Sequence, residues 1–340
     1  MRGLNAGTKV QIGAIITLAG DRLAEDSSAA PRRYARKDGT RFLSGPSRAS
    51  VEILGQSLLK RTIAKLRELG TAQPDIIPDS PVSTALLPSR SAKATPFIAA
   101  WESAVANQVG LGVELILLLR IGSYFDLDYD ELLRFHLQER SRLTQVYGPS
   151  GALDVALVDA TLFRGADGPY RKIIATLIPE QHRFFYRGYV NPLNKAQDYR
   201  RLVEDGLYGR CGLRPVGKEV APGVWHGTGA QVDSSSRISA PAFIGAGSRI
   251  AECCVVSGAS TIERDCEIDC GTLVDQSCIL QGTYVGVALD VRHSIVDNQT
   301  LFHLERNVEI GFADKRLIGR AKAVALKTPA ESGFHGVSSS

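Results

Sequence analysis

The stretch "GSRIAECCVVSGASTIERDCEIDCGTLVDQSCIL", residues 247–280, decides how the chain is read. An aliphatic residue returns every six positions: Ile250, Val256, Ile262, Ile268, Val274 and Leu280. A helix repeats every 3.6 residues and a strand every 2, so neither needs that spacing. In the same register Val232, Ile238 and Ile244 precede Ile250, giving nine positions from Val232 to Leu280. Four residues after each stands Ser236, Ala242, Ser248, Cys254, Ser260, Cys266, Thr272, Cys278 or Tyr284, all small but the last. Each hexad therefore offers one aliphatic and one small residue that can point inward together. This periodicity predicts a parallel β-helix in which each hexad supplies one short strand and three hexads close a triangular coil. Nine hexads predict about three coils.

Five of the six cysteines fall in this repeat. Cys254, Cys266 and Cys278 hold the small inward position, where a thiol serves as a small hydrophobe. Cys253 and Cys270 are out of register, at turns or on faces; the sixth, Cys211, precedes the repeat. The absence of a C-x-x-C pair or a histidine at zinc spacing argues against a metal site. The hexads resemble those of the left-handed, hexapeptide-repeat β-helix family, and that resemblance supplies the handedness. Many such proteins are acyltransferases with a histidine base, for which His293 and His303 are the candidates.

Composition sets wider bounds. A chain of 340 residues suits two domains, and 44% hydrophobic residues suffice for sizeable cores. A net charge of +4 without a long single-sign run gives no reason to expect nucleic acid as a partner. The basic cluster "PRRYARK" (31–37) reads as a solvated loop. No apolar run reaches transmembrane length. "VQIGAIITLAG" (10–20) has the look of a short signal-peptide core, but reads better as a buried first strand. A reduced, cytoplasmic setting follows.

Before the repeat the pattern changes. "LGQSLLKRTIAKLRELG" (54–70) reads as an amphipathic helix with Gly70 as its C-cap. Thr95 and Pro96 open another helix, "VELILLLRIG" (113–122) is a buried strand, and "LDYDELLRFHLQER" (127–140) a capped helix. Residues between Gly70 and Thr95 read as a long loop. Strand alternating with helix predicts a doubly wound, Rossmann-like α/β domain over 1–210, followed by the β-helix over 211–325 and a disordered tail over 326–340.

An α/β domain before hexapeptide repeats resembles the sugar-nucleotide pyrophosphorylases, such as mannose-1-phosphate guanylyltransferase. The resemblance covers roughly residues 10–320. The family's loop G-G-x-G-T-R-L-x-P-L-T-x-x-x-P-K is matched by "AGDRLAEDSSAAPR", which keeps Arg22-Leu23 and has Arg32 at the lysine position. "IGSYFDLDYDELLRFH" is similar to the family's strand-end G-D followed by D-L-x-x-L-L-x-x-H, and "YRGYVNPLNKAQDYRRLV" to its late W-x-D-x-G-T-x-x-D-Y segment. The resemblance implies nucleotide contacts at Gly20, Arg22, Arg32 and Gly122.

The residues that would carry the chemistry differ. Pyrophosphate exchange at a nucleotide's α-phosphate needs a glycine-rich loop, a balancing cation and two carboxylates for Mg²⁺. The loop keeps only Gly20, with Asp21 beside it. Ser123 and Asn191 stand at the two metal carboxylate positions, and Leu193 near the glycine of the G-T pair. Asp126 and Asp128 are the substitute ligands within reach, although Asp128 reads as a helix cap. The expectation is a catalytically impaired nucleotidyltransferase-like protein, a pseudoenzyme. It would bind a sugar nucleotide or sugar phosphate in polysaccharide metabolism, as a homo-oligomer or beside an active homologue. The alternatives are an active nucleotidyltransferase with relocated Mg²⁺ ligands, and a hexapeptide-repeat acyltransferase.

Overall fold

A mixed sheet of six strands organises the first part of the chain, in the order β4-β1-β5-β8-β7-β9. The computed structural model describes residues 10–19, 47–80, 96–166 and 169–321. Its elements begin with β1 (Ile12–Ala19), α1 (Ser47–Ser50), β2 (Glu52–Ile53), β3 (Gln56–Ser57), α2 (Leu58–Leu69) and β4 (Asp75–Ser80). There follow α3 (Pro96–Gly110), β5 (Leu115–Ile121), β6 (Tyr124–Phe125), α4 (Tyr129–Gln138), β7 (Leu143–Gly148) and β8 (Gly151–Asp159). Then come α5 (Tyr170–Leu177), β9 (His182–Phe185), β10 (Val190–Asn191) and α6 (Ala196–Leu207). The strands run parallel except β8, which is antiparallel to both its neighbours.

The apolar run in β5 is buried on both faces. Leu115, Leu117, Leu119 and Ile121 join the core under α2, α4 and α6, while Ile116 and Leu118 join the core under α3 and α5. Successive strand side chains point to opposite faces, so a continuous apolar run is what a sheet covered on both sides requires.

Two expectations are corrected here. Residues 54–57 are not helical: β2 and β3 form a hairpin turned at Leu54 (φ 54°) and Gly55 (φ 87°), and the helix starts at Leu58 behind its N-cap Ser57. Within the expected long loop lies strand β4, "DIIPDS". Its Pro78 disguises it in the sequence, but β4 is an edge strand, where a residue without an N–H is tolerated. The N-cap assigned to Thr95 lies outside the described residues.

After α6 the chain returns on itself every 18 residues: Gln231 pairs with Arg249, Arg249 with Glu267, Ile250 with Ile268 and Val256 with Val274, all parallel. Parallel strands stack on three faces. One holds residues 224–226, 242–244, 261–262, 278–279 and 294–297; the second 231–232, 249–250, 267–268 and 283–285; the third 237–238, 255–257, 273–275 and 290–292. This stack of coils is compatible with a β-helix, and it makes four turns and enters a fifth, where three were expected.

The count differs because a strand at 224–226 precedes the aliphatic series and because the period slips twice, by one residue between Val274 and Ile279 and again between Val291 and Val296. Ile262 pairs with Ile279 and Leu273 with Asp290, offsets of 17 rather than 18. The inward residue is therefore Ile279, which lies in the axial core with Val285, Val291 and Val296. Leu280 and Cys278 point the other way, into the core shared with the α/β sheet. Cys278 is thus buried but not an axial wall-filler, and Ser277 takes the small position. Strict counting by six cannot follow a coil that lacks one residue.

The small positions follow a hydrogen-bonding rule. Ser248 Oγ donates to Glu263 O at 2.6 Å and accepts from Cys266 N–H at 3.0 Å. Ser236 does the same with Ala251 O and Cys254 N–H. Around the first slip, Thr272 uses Gly286 O and Leu289 N–H, and Ser277 uses Val291 O and Ser294 N–H. Cys254 and Cys266 donate through sulfur to Asp269 O and Leu280 O, at 3.1 and 3.0 Å. These positions want a short side chain that can donate, because corner carbonyls without strand partners must be satisfied.

One face of the stack is dry. Phe243, Cys278, Leu280, Ile295 and Phe302 are buried in the same core as Leu117 of β5 and Tyr199 and Leu202 of α6. Arg200 spans the same junction, donating to Ala259 O at 2.6 Å and Gly258 O at 2.8 Å. Among the described residues no helix is long and apolar enough to cross a membrane. We expect Ser248→Cys to be tolerated, since it keeps a short donor. Ser248→Val should lose about 1–3 kcal/mol in urea unfolding, because it strands a buried carbonyl and a buried N–H.

Candidate functional site

In an open α/β sheet, ligands collect at the carboxyl ends of the parallel strands. The structure has a cleft there, at the end of β5, enclosing about 480 Å³ of space that is partly open to solvent. One wall is a face of α2: Leu58, Arg61, Thr62 and Lys65, spaced three, four and seven residues apart as a helix face demands. The other wall is the strand end, Leu119, Arg120 and Ile121, continuing through Ser123, Tyr124 and Phe125 to Tyr129. Among the described residues, Arg61, Lys65 and Arg120 line the cleft and no carboxylate does. Arg120 pairs with Asp154 of β8 at 3.0 Å behind the cleft. Such a lining suits an anionic ligand with a flat or apolar part to lie against the aromatic rings.

The structure brings two of the sequence-predicted positions together. Asn191 of β10 pairs with Tyr124 of β6, next in the chain to Ser123. Ser123 faces the cleft and Gly122 is buried at the turn after β5. Asn191 is buried and fully engaged: its Nδ2 donates to Asp198 O at 2.9 Å, and its Oδ1 accepts from Leu193 N–H at 3.0 Å. It closes the turn at Leu193 (φ 48°) that leads into α6. Gly20, Arg22 and Arg32 lie outside the described residues.

The Mg²⁺ that the pyrophosphorylase resemblance implies does not fit these side chains. Mg²⁺ favours carboxylate oxygens in a near-octahedral set, and the positions offer one hydroxyl and one amide already committed to backbone. The neighbouring aspartates are structural. Asp128 Oδ1 caps α4, accepting from Asp130 N–H at 2.8 Å and Glu131 N–H at 3.3 Å. Asp126 accepts the Tyr124 hydroxyl at Oδ1 and Gly212 N–H at Oδ2, the latter at 2.6 Å. Among the described residues, no group of three or more His, Cys, Asp or Glu side chains is arranged to hold a metal ion.

The wall formed by α2 is held from behind by the coil stack, through a residue that the sequence did not single out. Glu263 is fully buried, and its two oxygens accept from Leu54 N–H and Gly55 N–H at 2.8 and 2.9 Å. Burial pushes its carboxyl up to about 7, against the two amides, which favour the ionised form. Arg61 grips the same hairpin by its carbonyls, reaching Ile53 O at 2.9 Å and Leu54 O at 3.2 Å. Glu52, also buried, pairs with Arg264 at 3.2 Å. Nothing in the local pattern "TIERD" marks Glu263, because its partners lie more than 200 residues away.

The remaining candidates lie elsewhere. His293 Nδ1 stands 3.3 Å from Glu305 Oε1, and its ring lies 6.4 Å from that of His303. Both belong to the last turn of the stack, and neither lines the cleft. His136, the histidine of the D-L-x-x-L-L-x-x-H likeness, is buried between α4 and the sheet, with Nδ1 2.8 Å from Thr144 Oγ1. Burial lowers its pKa from the ordinary 6.5 to about 4.

Two predictions follow from these assignments. Asp128→Ala should cost about 1 kcal/mol in urea unfolding, the worth of an N-cap, and should leave ligand binding at the cleft unchanged. The unfolded chain protonates His136 near pH 6.5 while the folded one resists until about pH 4. His136 therefore contributes stability above pH 6.5 that is lost as the pH falls towards 4. Denaturation curves across that window should show the loss, and His136→Gln should reduce it. Compared with known proteins, the chain finds no matching family model and no matching curated sequence.

Proposed function

We propose that the chain is a sugar-nucleotidyltransferase-like protein. On this reading a Rossmann-like nucleotidyltransferase-type domain is followed by a left-handed parallel β-helix. The protein binds a sugar nucleotide or sugar phosphate in the cleft at the end of β5 without carrying out metal-dependent nucleotidyl transfer. The observation that carries the reading is the lining of that cleft. Arg61 and Lys65 supply positive charge, Ser123, which stands where the resembled family has a carboxylate, lies at its rim, and Asn191 is locked into a turn. Cations aimed into a partly enclosed site hold phosphate oxygens by charge-assisted hydrogen bonds, and binding of that kind needs no metal. Tyr124, Phe125 and Tyr129 offer aromatic surface for a base or sugar ring. A binding or regulatory role in sugar-nucleotide or polysaccharide metabolism, in the reduced cytoplasm, is the reading these features support.

A thermal-shift screen of the full chain against GDP-mannose, UDP-glucose and dTDP-glucose, with and without Mg²⁺, tests it. The expected result is a shift with at least one of them that is equal in the presence and absence of the metal. Lys65→Ala should weaken that binding by about tenfold, the worth of one charge-assisted contact. Pyrophosphorolysis that requires Mg²⁺ and copurifies with the protein would overturn the reading.

A further inference from the structure

We infer that Glu263 of the coil stack is a positioning residue for the cleft on the α/β sheet: its carboxylate fixes the hairpin from which α2 starts, and thereby sets Arg61 and Lys65 along the cleft wall. The inference rests on the reading of the cleft as an anion site.

The contacts form an unbroken series. Leu54 and Gly55 turn the β2–β3 hairpin with positive φ, so their two amides point the same way, out of the hairpin and onto the coil stack. A carboxylate is suited to such a pair, because it presents two acceptors and no donor. Glu263 fills the role with one oxygen on each amide. On the opposite side the hairpin's carbonyls are taken by Arg61 and, for Leu54 O, also by Val216 N–H at 2.9 Å. The hairpin is therefore clamped between an anion on one body and a cation on the other. Arg61 is itself a wall of the cleft, one turn into α2. Ser57, the last residue of the hairpin, caps that helix through Lys60 N–H at 3.3 Å. Any loosening of the turn at Leu54–Gly55 passes directly to the start of α2 and to the side chain that both grips the turn and faces the ligand.

Burial makes the arrangement demanding. Glu263 has no solvent access, so an unmade bond to either amide is not replaced by water. Glutamine has the same shape but offers one acceptor, and turns N–H donors towards an amide that also donates. The turn must then shift, and the hairpin carbonyls with it, which leaves Arg61 without its fixed anchor.

The test uses the full chain and inorganic pyrophosphate, titrated by calorimetry at one pH without added metal. Glu263→Gln should bind about tenfold more weakly, about 1.4 kcal/mol. Amide hydrogen exchange in that variant should quicken over residues 52–65 while the sheet strands stay protected. Glu263→Asp keeps two acceptor oxygens on a shorter arm and should bind about threefold more weakly than wild type, a smaller loss than in Glu263→Gln. Arg200→Ala removes a different contact between the same two bodies, so it should lower the melting temperature and leave pyrophosphate affinity unchanged. Equal affinity in wild type and Glu263→Gln, or an equal loss in Arg200→Ala, would overturn the inference and leave the cleft reading intact. If Glu263→Gln does not fold, Glu263→Asp decides, and an affinity identical to wild type overturns it. No pyrophosphate binding by wild type would sink the cleft reading and this inference together.

Discussion

The structure depends on one dry contact. The face of the coil stack that carries Phe243, Cys278, Ile295 and Phe302 has no solvent access, and lies in one continuous core with β5 and α6. Coils stacked this way satisfy their own backbone, but each face still presents a row of outward side chains. Here one row is apolar and finds its partner in the helices over the sheet. That burial brings the corner at Glu263 against the β2–β3 hairpin, and so gives a buried carboxylate a task two hundred residues from its place in the sequence.

The stack itself is governed by a simple economy of polar groups. Its axis accepts Ile and Val, and its corners need a short donor that reaches a carbonyl in the next coil. Serine, threonine and cysteine all meet that need, which is why they interchange. The thiols of Cys254 and Cys266 donate as the hydroxyls of Ser248 and Thr272 do, and burial holds both thiols protonated by pushing their pKa upward. All six cysteines are free. For Cys254, Cys266 and Cys278 the crowding is a packing solution, while Cys270 is half-buried and Cys253 exposed.

The side chains beside the cleft are committed to the fold rather than free to hold a metal. Asn191 is buried and bonded, so it holds a turn in place. Asp126 and Asp128 each have a local structural duty that would have to be given up before either could ligate an ion. Arg61 and Lys65 line the cleft, and Arg61 also holds the hairpin. A site of this kind can bind charge without the chemistry that two free carboxylates would supply.

Much of this was legible in the sequence, for a physical reason. A period of six is imposed by neighbouring coils at every step, so it is written residue by residue from Val232 to Val274. The buried strand β5, the cap at Asp128 and the stop at Gly70 are likewise local, each set by a few adjacent side chains. The pairing of Asn191 with Tyr124, the slip that puts Ile279 inside and Leu280 outside, the edge strand carrying Pro78 and the grip of Glu263 on Leu54 and Gly55 were not legible. Each depends on a partner distant in the chain. Periodicity tells a side chain to turn inward, but only the folded chain decides what it meets there.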